Sequence, residues 1–143
     1  MVGSTFDIVG IGNAIVDVLT QTEDDLLVAE GLQKGSMSLA YEARTGDLYA
    51  KMGQTIVISG GSAANTIVGA ASLGARTAFI GKVKKDQAGE EFTHDIRAMG
   101  VHFETPAAQD GPATAKCLVF VTPDGERTMS TYLGACQSLT AAD

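Results

Sequence analysis

TIVISGGSAANTIVGAASLGARTAFIG, residues 55–81, decides how the rest of the chain is read. A β-branched apolar run, Ile56-Val57-Ile58, breaks at Ser59-Gly60-Gly61-Ser62 and continues as a small-residue helical run to Leu73. It stops at Gly74 and resumes as Thr77-Ala78-Phe79-Ile80, so the stretch predicts strand, tight turn, helix, strand. Two adjacent glycines remove both Cβ atoms at the turn, and a helix start leaves backbone N–H groups unpaired, so a ligand could approach the backbone there. Asn65, one turn into the helix, carries an amide able both to donate to and to accept from a hydroxyl. The same residues also fit a plain turn in which Ser62 caps the helix and Asn65 is incidental.

Outward from this stretch, the N-terminal run Phe6 to Leu19 reads as a strand punctuated by glycines. Gly10-Ile11-Gly12 resembles the start of a dinucleotide-binding fingerprint, but Ile15 stands where its third glycine belongs, which leaves a dinucleotide-dependent enzyme the weakest of three function classes. Asp17 lies among Ile15, Val16, Val18 and Leu19, where an unpaired charge is expensive to bury, so it needs a partner. That partner is either a structural backbone donor or the hydroxyls of a bound polyol, from which a carboxylate accepts two hydrogen bonds. Residues Glu23 to Glu30 and Tyr41 to Met52 read as helices, and Ser36 to Leu39 as a strand carrying Met37, a side chain suited to a core or to an apolar pocket wall.

Downstream, Asp86 reads as the N-cap of a helix whose buried stripe is Ala88, Phe92, Ile96 and Met99 and whose end is Gly100. The lysines at 82, 84 and 85 fall in the preceding turn and read as a solvated face. Val101 to Glu104 predicts a further strand. Lys116 to Thr122, the turn Pro123-Asp124-Gly125 and Arg127 to Tyr132 predict a β-hairpin.

The 143 residues, 45% of them hydrophobic, suffice for one globular domain burying roughly 70% of its unfolded surface. Ten basic against seventeen acidic residues leave a formal charge of −7, which disfavours nucleic acid and anionic membrane as partners. Two cysteines, no apolar N-terminal signal segment and no bilayer-length apolar run predict a cytoplasmic protein with reduced thiols. His94 and His102 have no Cys or carboxylate at ligand spacing, so no metal site is expected from this chain.

Taken in order, Gly12-Asn13 with Asp17, then Ser59-Gly60-Gly61-Ser62-Ala63-Ala64-Asn65, then Gly74-Ala75, Phe79-Ile80-Gly81 and Asp86 with Gly89, resemble the N-terminal half of ribokinase-like carbohydrate kinases of the phosphofructokinase-B type. The Asn13 to Asp17 spacing and the ending Arg127 to Ala135 look most like the adenosine kinase branch, and the resemblance spans residues 1–143. It implies an α/β fold, the N-terminal half of a doubly wound sheet with a small β-sheet lid, and ATP-dependent phosphoryl transfer, assisted by Mg2+, to a hydroxyl of a ribose-like sugar or adenosine-like nucleoside. Carried over, Asn13, Asp17, Gly60, Gly61, Ser62 and Asn65 would bind substrate, Met37 would border the base or aglycone, and Arg127 would face the transferred phosphoryl group.

Lys84 departs from the family's usual glycine and Ile67 from its usual small residue. The C-terminal half, with its nucleotide and Mg2+ sites and a catalytic aspartate in a Gly-Ala-Gly-Asp type motif, has no counterpart here. Gly134-Ala135-Cys136 is the nearest string. Phosphoryl transfer needs a base for the hydroxyl proton, so this chain is expected to be silent unless the other half completes it. The alternative is a non-catalytic binding or assembly module. Homodimerisation through the lid strands is expected.

Overall fold

The computed structural model describes residues 5–143. The run from Phe6 to Leu19 is not one strand, as the sequence suggests, but two: β1 (Ile8–Ile11) and β2 (Ile15–Gln21). The chain breaks at Gly12-Asn13-Ala14, and the two strands enter different sheets. Next come α1 (Asp24–Ala29), β3 (Met37–Leu39), α2 (Glu42–Tyr49), β4 (Thr55–Gly60), α3 (Ser62–Ser72), β5 (Thr77–Ile80), α4 (Gln87–Ala98), β6 (Ala115–Val121), β7 (Arg127–Tyr132) and a short 3-10 turn, Gly134–Ser138. The strand expected at Val101 to Glu104 shrinks to a single parallel bridge between Ala78 and His102, because the chain leaves the edge of β5 after one exchange of hydrogen bonds.

Strands β1 and β5 pair in parallel, and α3 packs against both. Gly12 permits this approach: a Cβ there would lie 2.7 Å from the Cβ of Ala63. Ile67 fills the space above Gly10, so the large side chain at this departure from the family pattern is accommodated in the core. Lys84, the other departure, has an ordinary negative φ, since no residue other than glycine adopts a positive one among those described. The core here joins Ala14, Val16, Ile67, Phe79, Phe92, Ile96 and Phe103, with the three phenylalanine rings 5.4–6.0 Å apart between centroids.

The second sheet has five strands in the order β3-β7-β6-β2-β4, with β2 parallel to β6 and antiparallel to β4. The expected hairpin is β6–β7, but it lies inside this sheet, covered by β2 on one side and β3 on the other. Its free edges are therefore β3 and β4, not the hairpin strands. Alternation along β2 puts Val16 and Val18 behind the sheet, where Val18 joins Leu27, Leu48, Leu118 and Phe120 under α1 and α2.

Asp86 caps α4 as the sequence predicts, its Oδ1 accepting from the Gly89 N–H at 2.9 Å. It also accepts from the Thr114 hydroxyl at 2.7 Å and the Thr114 N–H at 3.0 Å, tying the helix to the start of β6. Burial pushes its pKa up, and these three donors more than offset it, leaving the group below its ordinary value. Asp86→Ala is expected to cost about 2 kcal/mol in denaturant unfolding, as lost caps do. Because the folded-state pKa is depressed, the stability Asp86 contributes is present above the ordinary aspartate pKa and is lost as pH falls through the folded value; the variant should lack that acid-limb dependence. Met99, expected in the buried stripe of α4, is 51% exposed, because it is the C-cap, where the chain has already turned away from the core toward Gly100.

On β1, Ile8, Val9 and Ile11 are exposed, Ile11 to 67%, and at the end of α3 Leu73 is 90% exposed. Helix α3, apolar over most of its circumference in sequence, buries only Ala64 and Ile67 fully.

Candidate functional site

The front of the five-stranded sheet is assembled by register. Asp17 lies opposite Ile58 of β4 and Cys117 of β6, and Cys117 in turn opposite Thr131 of β7, which pairs with Leu39 of β3. Residues directly opposed across strands share a face, so these five side chains form one row with the carboxylate in it. One row over stand Leu19, Val119, Met129, Met37 and Ile56. Met37, Leu39, Ile56 and Ile58 are all exposed, giving an open apolar surface around the Asp17 carboxylate.

Asp17 is half-buried, and among the described residues no hydrogen bond reaches its carboxylate. The structural backbone donor that the sequence left open is therefore not what holds it. Desolvation raises its pKa, and the positive charge of Arg127, on β7 of the same face, acts in the opposite direction. The two glycines of the turn are explained by the same neighbourhood. A Cβ on Gly60 would overlap the Asp17 carboxylate, and one on Gly61 would lie 2.5 Å from the Asn13 carbonyl oxygen. Gly61 also has φ +96°, a conformation that L side chains rarely adopt. The space over Gly60 thus belongs to Asp17 itself before any ligand arrives.

Gly61, not Ser62, is the N-cap of α3, and no side chain caps that helix, so the capping role considered for Ser62 is not realised. Ser62 and Asn65 are exposed on the first turn, and the Asn65 N–H is bonded to the Gly61 carbonyl at 2.8 Å. Asn13, Asp17, Gly60, Gly61 and the start of α3 are accordingly brought together; Met37 and Arg127 stand at the margins of the sheet, on β3 and at the start of β7. A hollow of about 440 Å3 lined by Leu19, Gln21, Ile56 and Val121 continues the same face.

Sequence reading missed Cys117 and Thr131. The Thr131 hydroxyl is 3.3 Å from the Cys117 sulfur, and burial, with the Asp17 charge adding to it, raises the thiol pKa against that hydrogen bond. Only the parallel pairing of β2 with β6 reveals this neighbour, and nothing local to residue 117 signals it. Both cysteines are buried and free, Cys136 donating to the Ala14 carbonyl at 3.2 Å.

The family model for pfkB family carbohydrate kinases matches residues 34–143. The chain belongs to the pfkB carbohydrate kinase family. Among solved structures of similar proteins, adenosine kinase from Sinorhizobium meliloti is 51% identical with a TM-score of 0.93, over 98% of this chain and 43% of that one. A probable sugar kinase from Rhizobium etli is 46% identical with a TM-score of 0.94, over 99% and 43%. Adenosine kinase of Saccharomyces cerevisiae is 29% identical over 95% of this chain and 42% of its own length, whereas a probable chloroplastic fructokinase of Arabidopsis thaliana is 37% identical over 51% and 19%. The pfkB chain thus spans about two fifths or less of these relatives. Its fold is the ribokinase-like α/β architecture of those kinases. Among the described residues, no helix is long and apolar enough to cross a membrane.

Proposed function

We propose that this chain is the N-terminal, hydroxyl-binding half of a cytoplasmic ATP-dependent nucleoside or sugar kinase, with adenosine-like nucleosides as its substrate class. The observation that carries this is the half-buried Asp17 carboxylate, without a hydrogen-bond donor among the described residues, set over Gly60 beside the open start of α3. Vicinal ribose hydroxyls supply two donors to such a carboxylate and repay its desolvation. The exposed apolar side chains at Met37, Leu39, Ile56 and Ile58 offer a surface for a flat base rather than for a second polar sugar. Relatives called adenosine kinase match nearly the whole chain, whereas the fructokinase match covers half of it.

In the reaction, a substrate hydroxyl oxygen bonds to the γ-phosphorus of ATP, the bond to the bridging oxygen breaks, ADP leaves and the hydroxyl proton passes to a base. This chain's residues bind and orient the hydroxyls: Asp17 accepts, Asn65 donates and accepts, Asn13, Ser62 and the Gly60-Gly61 backbone border the sugar, and Arg127 faces the phosphoryl group. Among the described residues no three His, Cys, Asp or Glu side chains converge, and no step is derived through the metal. Nucleotide, metal and base belong in this reading to the C-terminal half.

The test is phosphoryl transfer from ATP to adenosine, ribose and fructose by the full-length protein and by residues 1–143 alone. Transfer to adenosine by the full-length protein, and none by the 143-residue chain, is expected. Robust transfer by the short chain overturns the division of labour, and equal transfer to fructose overturns the nucleoside preference. Asn65→Ala in the full-length enzyme should weaken nucleoside binding by about 1–3 kcal/mol in calorimetry, the worth of a buried hydrogen bond to a polar ligand. In this reading any self-association uses the sheet edges β3 and β4 rather than the hairpin strands, which lie inside the sheet.

A further inference from the structure

Away from Asp17, a groove of about 640 Å3 runs along the outer side of α4, within the size range of small-molecule sites. Lys84, Lys85 and Arg97 line it, in a chain whose net charge is −7. Among the described residues none of the three is paired with a carboxylate. Lys84 Nζ donates to the Gly111 carbonyl at 2.8 Å, and Arg97 donates through Nε and Nη2 to the Phe103 carbonyl at 2.9 and 2.6 Å. Carbonyl partners hold these cations in place without neutralising them. Among the described residues that line it Glu90 is the single carboxylate, so the groove keeps a positive excess, while Val83, Ala98 and Ala107 make the remainder apolar.

The inner side of α4 touches the substrate sheet. His94, on the groove wall, places Nδ1 3.2 Å from Asp95 Oδ1, and Asp95 Oδ2 accepts the Ser59 N–H at 3.2 Å. Ser59 immediately precedes Gly60, over which the Asp17 carboxylate sits. We propose that this groove is an effector site for a phosphate monoester with an apolar body, and that α4 transmits its occupancy through Asp95 and Ser59 to the Gly60–Asp17 contact. Two or more fixed cations suit a phosphate dianion, and the alanine and valine walls suit its carbon body. The transmission part rests on the reading of Asp17 as the hydroxyl ligand; the binding part does not.

Phenyl phosphate is the probe, because it is dianionic, has an apolar body and carries no hydroxyls for Asp17 to bind. Calorimetry with the full-length protein should give a Kd of about 1 mM or tighter, weakening with added salt. Lys85→Glu should weaken it roughly tenfold, and this variant spares the fold because the Lys85 side chain is exposed and unbonded among the described residues. Bound phenyl phosphate should also change the nucleoside Kd by at least about fivefold in the wild type, and not in Asp95→Asn. Binding unaltered by Lys85→Glu, equal binding of inorganic phosphate, or an unchanged nucleoside Kd each overturns the proposal. Failure of the full-length protein to bind nucleoside at all would instead sink the proposed function, with the Lys85-dependent binding of phenyl phosphate still standing or falling by itself.

Discussion

Replacing Gly60 with alanine in the full-length protein is expected to lower kcat/KM for the proposed nucleoside substrate by about a hundredfold while the protein stays folded. The added methyl would occupy the space now filled by the Asp17 carboxylate, and since Gly60 lies on a β-strand, the strand holds its position and the carboxylate must swing. A hydroxyl ligand displaced by about 1 Å from its working position costs on the order of a hundredfold in rate. Gly60 has no positive φ, so the backbone itself accepts alanine and the effect is read as a steric one. Steady-state kinetics beside a circular dichroism spectrum check this. Wild-type kcat/KM in the variant would mean that the Asp17 position does not matter to the substrate.

Asp17→Asn is expected to move affinity and stability in opposite directions. Nucleoside binding should weaken by about 1–3 kcal/mol, because the amide is uncharged and presents one acceptor oxygen where the carboxylate presents two. Thermal stability without ligand should rise, because the substitution removes a half-buried charge that no donor satisfies among the described residues. The sign follows from linkage. Desolvation raises the folded-state pKa of Asp17 above its ordinary value of 3.8, so the folded protein holds this proton longer than the unfolded chain does. Asp17's contribution to stability is therefore fully present below the unfolded pKa and declines as pH rises through the raised folded value. The asparagine variant should lack that decline, and its advantage in melting temperature should be greatest above the folded pKa. An asparagine variant that melts lower than the wild type at neutral pH, or binds nucleoside equally well, contradicts this account. A carboxylate that costs the fold stability and serves the ligand is the trade expected of a binding residue.

Much of the site was legible in the chain itself because its signals are local. Gly60-Gly61 after an apolar run signals a strand that breaks into a helix, although the break proved to be Gly61 alone with Gly60 still in the strand, and a charged Asp17 between valines calls for a partner whatever the topology. The cap at Asp86, the glycine at 100 and the turn at Pro123-Asp124-Gly125 all follow from side-chain chemistry within a few residues. What the tertiary structure decided were choices of long range. Phe6 to Leu19 became two strands because Ile8–Ile11 pairs with β5 while Ile15–Gln21 pairs with β4 and β6, and no local periodicity distinguishes those partners. The hairpin became the interior of a sheet for the same reason. Cys117 became the neighbour of Asp17 only through a parallel pairing a hundred residues apart, with Thr131 beyond it across the antiparallel β6–β7 pairing, and Gly60 proved to make room for a carboxylate 43 positions earlier. Periodicity and turn chemistry report which face of an element is apolar and where it ends. Which elements meet is set by the total surface they bury together, and that quantity is spread over the whole chain.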